Sequence, residues 1–300
     1  MIHGFYLVDK RRANVDEEVR LFRQAMGVDV DPLHFEDIVP IVGPGDDDGI
    51  LMTSGERLPR PDFVFTRAFR LTDEESYQMK AVLRMLEGMG VLCINPAECK
   101  DITADKLRTF QVARAVIPEI PVPKTMLITP GVDTGLVAEY IGFPVVLKVL
   151  HGEGGTGVVL LETEGELRKT LSMVKACKPG DQVIAQQAIM TSRGRDLRII
   201  VLGDSILRTM VRSNPTSFTS NVHRGGEVLE YDPPEHVKNA AVRLAKAIGI
   251  RLGSVDFLFG EKEGEFYLCE ANSSIGLVPE AGIDPVLARR LALRLLEGSR

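Results

Sequence analysis

Val145-Val146-Leu147-Lys148-Val149 leads, by way of Leu150, into His151-Gly152-Glu153-Gly154-Gly155-Thr156-Gly157-Val158-Val159, and the reading of this stretch decides the architecture around it. A β-branched, apolar run that closes on a lysine is a strand. The glycines that follow make a turn, and Val158 opens a second strand. Such an arrangement brings an ammonium and several unobstructed backbone N–H groups onto phosphate oxygens. A flexible hairpin with an ordinary exposed lysine has the same letters, so the segment needs support from elsewhere in the chain. It is not a Walker loop, which requires Gly-Lys-Ser or Gly-Lys-Thr leading into a helix, and it is no dinucleotide fingerprint.

On the N-terminal side, short apolar runs alternate with longer amphipathic ones. Ile2–Val8, Phe63–Phe65 and Val91–Ile94 read as strands, while Val15–Met26 and Thr72–Met89 carry apolar residues at helical spacing. This predicts an N-terminal α/β domain, residues 1–96, with a mostly parallel sheet. Val42–Pro61, rich in Gly, Pro and Asp, reads as an exposed loop or hairpin. After Asn95-Pro96 the rhythm changes. Helices at Ala104–Ala115 and Glu166–Lys175 and strands at Met126–Ile128, Val145–Val149, Val158–Leu161 and Val183–Gln186 suggest a central subdomain, 97–185. The remainder, 186–300, holds strands Leu197–Leu202 and Ser205–Met210 around Gly203-Asp204 and a helix at Glu235–Ile248. Strands Val255–Phe259 and Phe266–Glu270 then flank Gly264, and a last helix falls near Asp284–Glu297.

Three further groups of residues could carry chemistry. Asp256 lies in an apolar strand, and Glu270 and Asn272, two apart, face the same way on the next one. Their oxygens suit magnesium, which is usually held by one or two carboxylates, water and substrate phosphate. Solvated acids at a strand end are the alternative, disfavoured because a carboxylate in an apolar strand is costly to bury unless paired or metal-bound. In Arg195-Asp196-Leu197-Arg198-Ile199-Ile200-Val201, Asp196 and Arg198 share a face, which a surface ion pair on an edge strand would also explain. Ser220-Asn221-Val222-His223-Arg224-Gly225-Gly226 is a polar loop in which His223 reads as a structural histidine more readily than as a catalyst.

Composition bounds the remainder. Hydrophobic residues at 44%, charged residues at 26% and a mean hydropathy of +0.04 describe a globular enzyme, and 300 residues favour more than one core. No apolar run approaches the roughly 18 residues of a membrane helix, and Met1-Ile2-His3-Gly4 does not open a secretory signal, so the cytoplasm is the expected compartment. The net charge of −6 argues against a surface that grips nucleic acid as a whole. Cys93, Cys99, Cys177 and Cys269 show no CxxC spacing and are expected to be packing residues or inert thiols.

Taken in order, these segments resemble the ATP-grasp superfamily, and most closely its RimK-like amino-acid ligases. The likeness rests on Asp105-Lys106-Leu107-Arg108-Thr109, Gly194-Arg195-Asp196-Leu197-Arg198, Ser220-Asn221-Val222-His223-Arg224-Gly225-Gly226, Gly253-Ser254-Val255-Asp256 and Glu270-Ala271-Asn272-Ser273-Ser274, and spans about residues 97–300. The resemblance implies an α/β, ATP-grasp fold: an N-terminal α/β domain followed by two subdomains that clasp ATP between sheets. It implies ATP and Mg2+ as cofactors, with Mn2+ as an alternative ion. The implied reaction converts a carboxylate to an acyl phosphate, which an amine attacks to give an amide or peptide bond, ADP and phosphate.

Residue by residue, the resemblance casts Lys106 and Lys148 as phosphate contacts and Gly154, Gly155 and Gly157 as part of a closing loop. Gln186, Gln187, Ala188 and Ile189 match the hinge whose backbone holds adenine. Asp196 matches the acid near the ribose, and Ser220 and Asn221 line the nucleotide and substrate. Asp256, Glu270 and Asn272 match the metal ligands. Arg198, Arg212 and Asn221 are the expected catalytic group, with Arg198 at the developing oxyanion. The expected partners are ATP, an amino acid and a carboxylate acceptor, either a small molecule, a peptide tail or a carrier protein; neither membrane nor nucleic acid is expected, and a homo-oligomer fits the family.

Departures from the family pattern bear on substrate. Gln187 and Ala188 stand where an acid and an aromatic are expected, Thr219 where a basic residue is, and Val211-Arg212 where two arginines often occur. Less positive charge beside the pocket puts a dicarboxylate such as glutamate in question as the joined amino acid. A D-alanine–D-alanine or glutathione-synthetase-like ligase shares the clasp, and a non-catalytic ATP-binding module is the reading from another class. Retention of Lys148, Arg198, Asp256, Glu270 and Asn272 favours an enzyme.

Overall fold

The computed structural model describes residues 3–12, 15–44, 49–67, 71–150, 157–177, 180, 182–218, 220 and 227–275. They divide into two compact units. The first runs to Lys100 and takes in Gly249–Gly253 and the chain from Ser273; the second is Asp101–Ile248 with Ser254–Asn272.

The first unit contains β1 (His3–Val8), α1 (Val15–Met26), β2 (Asp29–His34), β3 (Ile38–Ile41), β4 (Gly49–Met52), β5 (Phe63–Arg67), α2 (Asp73–Gly88), β6 (Leu92–Ile94) and the start of α3 (Ala97–Ala104), whose last four residues belong to the second unit. Its main sheet has the order β2-β1-β5-β6 and is parallel throughout, as the alternating pattern predicts. The inner strands β1 and β5 are apolar on both faces because both are covered. Phe5, Leu7 and Val64 pack with Met79, Val82, Leu83 and Leu86 of α2 in one core. α2 starts at a capping box: the Thr72 side chain accepts from the Glu75 N–H while the Glu75 carboxylate accepts from the Thr72 N–H. In the stretch Val42–Pro61, β4 pairs with the preceding β3 as a hairpin, Ile50 and Leu58 are buried in the core where an exposed segment is expected, and residues 45–48 lie outside the described ones.

Asn95 ties the separate chain segments of this unit together. Its Nδ2 donates to the carbonyls of Leu252 (2.6 Å) and Ser273 (2.5 Å), and its Oδ1 accepts from the N–H groups of Arg251 (2.7 Å) and Leu252 (3.0 Å). Both donors and both lone pairs of a side chain that is 1% exposed are thereby used.

The second unit continues with α4 (Lys106–Val116), β7 (Thr125–Ile128), α5 (Thr134–Tyr140), β8 (Val145–Val149), β9 (Val158–Leu161), α6 (Glu164–Cys177) and β10 (Val183–Gln187). There follow β11 (Arg195–Leu202), β12 (Ser205–Ser213), β13 (Glu227–Glu230), α7 (Glu235–Ile248), β14 (Leu252–Phe259), whose first two residues belong to the first unit, and β15 (Phe266–Asn272). One antiparallel sheet has the order β7-β10-β8-β9, and a second has β13-β12-β11-β14-β15. Val145, Leu147, Val183 and Ala185 of the first of these pack on Val137 of α5 and on Leu167 and Leu171 of α6. The expected last helix near Asp284–Glu297 lies outside the described residues.

Gly194 is the turn residue just before β11, the strand that carries Asp196 and Arg198. Its φ is +72°, and a Cβ there would lie 2.5 Å from the Asn214 carbonyl oxygen and 2.8 Å from that of Ser217. Its own N–H and C=O are bonded to the Phe218 carbonyl and the Asn214 N–H. Gly194→Ala is therefore expected to lower stability by at least about 1–2 kcal/mol from the left-handed backbone alone, with the contact adding to it. Urea denaturation of the variant measures this, and an unchanged midpoint would show that the segment 214–218 yields freely.

Candidate active site

Strand periodicity and register assemble the site before any side chain is placed. Residues two apart share a face, so Asp196 goes with Arg198, Ser254 with Asp256, and Glu270 with Asn272. Pairing of β11 with β12 sets Arg212 opposite Asp196; pairing of β14 with β15 sets Glu270 opposite Asp256 and Asn272 opposite Ser254. Since β11 and β14 are neighbours, all of these residues meet in one patch of the five-stranded sheet.

The patch is a network of buried ion pairs. Arg198 forks onto Asp256, Nε to Oδ1 at 2.9 Å and Nη2 to Oδ2 at 2.6 Å. Arg212 donates from Nε to Asp196 Oδ1 at 2.8 Å, from Nη2 to Asp196 Oδ2, and again from Nη2 to Asp256 Oδ2 at 3.0 Å. Asp196 and Arg198 are thus not the surface pair that their spacing allows. β11 is the middle strand of its sheet, and each of the two charges finds its partner across a strand boundary.

Asp256 is 0% exposed. Burial pushes its carboxyl up, but the charges of Arg198 and Arg212 outweigh that and hold it below the usual carboxylate range. Burial works against the Arg212 guanidinium in the same way, and Asp256 and Asp196 more than reverse it.

The three expected metal ligands do converge. Asn272 Nδ2 lies 3.2 Å from Asp256 Oδ2 and 3.2 Å from Glu270 Oε1, with Ser254 Oγ at 3.4 Å. Among the described residues no group of three His, Cys, Asp or Glu side chains forms a cage. The carboxylates of Asp256 and Glu270 and the amide of Asn272, whose Nδ2 is the atom turned toward them, carry oxygens of the hard type that magnesium takes, with water and phosphate as its remaining ligands.

The lysines sit at the end of β8. Lys148 Nζ donates to Gln186 Oε1 at 2.6 Å, and Lys106, the first residue of α4 behind its Asp105 cap, donates from Nζ to the Leu150 carbonyl at 3.3 Å. Lys148 is also close enough to the charged patch to share its field. Burial raises the Cys269 thiol to about 12, Lys148 acts to lower it, and Glu270, Asp196 and Asp256 act to raise it. A neutral, packed thiol is what the cysteine spacing suggests.

The other expected residues are placed less closely. Gln187 exchanges bonds with the Lys124 backbone, and the Ala188 N–H reaches the Pro144 carbonyl at 3.4 Å. Gly157 has φ +75°, and a Cβ there would lie 2.7 Å from Val149 Cγ2, so glycine is needed where β9 leaves the loop. Ser220 is buried. Gly154, Gly155, Thr219 and Asn221 lie outside the described residues. Gln186, expected to act through its backbone at the hinge, also bonds Lys148 and Thr125 through its side chain, a contact with no signal in the sequence.

Two sheets in one unit, with Lys148 on one and a carboxylate–guanidinium patch on the other, are the arrangement expected of the ATP-grasp class. In fold, the chain superposes on the ATP-grasp ligase PsnB, complexed with a phosphomimetic variant of minimal precursor, Mg and ADP, at a TM-score of 0.73. That match covers 99% of this chain and 98% of the other at 18% identity. The RimK-like ATP-grasp domain family matches residues 103–292. A probable alpha-L-glutamate ligase of Rhodopirellula baltica is 34% identical over 67% of this chain, and one of Picosynechococcus sp. is 32% identical over 81%. The chain spans about half the length of the first of these relatives (49%) and most of the second (77%). The chain belongs to the RimK-like ATP-grasp family, a family of ATP-dependent carboxylate–amine ligases. No helix among the described residues is long and apolar enough to cross a membrane.

Proposed function

We propose that this protein joins an amino acid to a carboxylate acceptor through an acyl phosphate, with ATP and Mg2+ as cofactors and Mn2+ as a substitute ion. The observation that carries the reading is the buried Asp196–Arg212–Asp256–Arg198 network beside Glu270 and Asn272. Evolution of a merely structural patch would favour apolar packing, since buried ion pairs contribute little net stability.

In the proposed reaction an oxygen of the acceptor carboxylate attacks the γ-phosphorus of ATP and ADP leaves. The amine then attacks the acyl carbon, releasing phosphate and losing a proton. Lys148 and Lys106 hold phosphate oxygens, and Arg198 faces the negative charge that grows on the acyl oxygen. No protein nucleophile is needed, because phosphoryl transfer is governed by positioning and charge neutralisation. Bound at Asp256, Glu270 and Asn272, magnesium would supply charge neutralisation at the phosphates. Asp196, Ser220, Asn221, the hinge 186–189 and the loop glycines Gly154, Gly155 and Gly157 complete the nucleotide site in this reading, with 1–96, 97–185 and 186–300 as its working lobes. Dependence on ATP supports a cytoplasmic location in this reading.

The relatives are named for L-glutamate, but Thr219 replaces the expected basic residue, so acidic and neutral amino acids are equal candidates. Phosphate release from ATP and Mg2+ across a matrix of amino acids and carboxylates tests the proposal. Release that needs both an amino acid and a carboxylate supports it; nucleotide binding with no such release would leave only an ATP-binding module.

Glu270→Gln gives a sharper check of the metal. A neutral amide is a poorer hard-cation ligand, so the magnesium concentration for half-maximal activity is expected to rise about tenfold or more. An unshifted magnesium titration would support solvated strand-end acids instead.

A further inference from the structure

Gln186 is 1% exposed and sits on β10 between two partners. Thr125 of β7 is directly opposite it, and Lys148 of β8, opposite Ile184, is its diagonal neighbour on the same face. The three side chains form a line across three adjacent strands.

Their hydrogen bonds have only one direction. An ammonium donates and cannot accept, so the Gln186 atom facing Lys148 Nζ at 2.6 Å must be the amide oxygen. That turns the amide nitrogen toward Thr125 Oγ1, to which it donates at 2.9 Å. The threonine hydroxyl in turn donates to the Pro123 carbonyl at 2.8 Å, leaving a lone pair for the glutamine. From Pro123 to Lys148 each polar group has a defined role, and rotation of the amide would set donor against donor at Lys148.

The anchor is also uncharged. Arg198 and Arg212 are held by carboxylates that offset their charge, whereas Lys148 is held by an amide that fixes the ammonium and leaves its charge intact. A lysine used on polyanionic phosphate needs both properties, because a long flexible side chain loses rotamer entropy on binding unless it is already placed.

We propose that Gln186 is a positioning residue that holds the Lys148 ammonium, undiminished in charge, for the phosphates of the nucleotide, with Thr125 fixing its orientation. The inference rests on the phosphate role of Lys148 proposed above. It assigns the Gln186 side chain a function separate from any contact of the hinge backbone with adenine.

Calorimetric binding of ATP and of adenosine separates the possibilities, using Gln186→Glu, Thr125→Val, Lys148→Met and the double variant Gln186→Glu/Lys148→Met. Gln186→Glu keeps a hydrogen bond to Lys148 but cancels its charge. It is expected to weaken ATP binding by about tenfold or more while adenosine binding stays near the wild-type value. Thr125→Val, which leaves Gln186 in place, should show a smaller loss of the same kind. The double variant should bind ATP no more weakly than Lys148→Met alone, because Gln186 acts through Lys148.

Should Gln186→Glu and Thr125→Val bind ATP like the wild type while Lys148→Met does not, the phosphate role stands and the positioning role is wrong. Equal losses for ATP and adenosine would assign Gln186 to the hinge and overturn the proposal. Wild-type ATP binding by Lys148→Met would remove the phosphate role itself, and the inference with it.

Discussion

Asp256→Ala is expected to lose turnover and to destabilise the protein by about 3–5 kcal/mol, the range for removing one partner of a buried ion pair. Asp256 accepts from both guanidinium groups and from Asn272, and it is wholly buried. Without it Arg198 loses both bonds of its fork, while Arg212 keeps Asp196. Urea denaturation of the purified variant gives the stability and phosphate release gives the activity. A stability loss below about 1 kcal/mol would mean that the pair is solvated in solution and worth no more than a surface bridge. The effect has a defined pH dependence. Because the folded carboxyl lies below its ordinary value, its contribution is complete above the unfolded value of about 3.9 and is lost as pH falls through the folded value. The stability difference between wild type and variant should therefore narrow as pH falls below the ordinary carboxylate range.

Arg198→Lys is expected to lower kcat by about a hundredfold or more, the scale seen when a preorganised oxyanion donor is removed, with a much smaller change in ATP affinity. Lysine keeps the charge. It cannot reproduce the planar fork that lets one edge of the Arg198 guanidinium grip Asp256 through Nε and Nη2 while other N–H groups stay available. Arg198 is also the more accessible of the two arginines, with its side chain 22% exposed against 10% for Arg212, as a group that meets substrate should be. Steady-state kinetics beside nucleotide binding checks this. A variant with full kcat would reduce Arg198 to a counter-ion of Asp256.

What could be read from the chain alone follows from how strongly packing constrains each segment. Val15–Met26, Val145–Val149 and Glu235–Ile248 are found at their expected bounds, because apolar period and burial agree there. β2 was not expected: Asp29, Asp31 and Pro32 oppose a strand, and only its place at the sheet edge tolerates a missing N–H and charged side chains. β13, exposed along its length, and α5, only 7 residues long, carry too little apolar pattern to register. At the site, the shared faces of Asp196 with Arg198 and of Glu270 with Asn272 followed from the period of two. The partners did not. That Arg212 bridges Asp196 and Asp256 depends on the register of β12 and on β14 lying next to β11, both set by long-range pairing. The Gln186–Lys148 contact was hidden in the same way, a diagonal between strands far apart in sequence.

The four bonds of Asn95 bear on how the chain is made. Arg251, Leu252 and Ser273 are translated long after the parallel sheet of the first unit, and until they emerge from the ribosome Asn95 has a full set of polar valences with none of these partners. The first unit is then finished last, although it begins first. A fragment ending at residue 96 would carry the same deficit permanently, and a nascent chain would depend on residues 251–273 to satisfy an asparagine beside strands already synthesised.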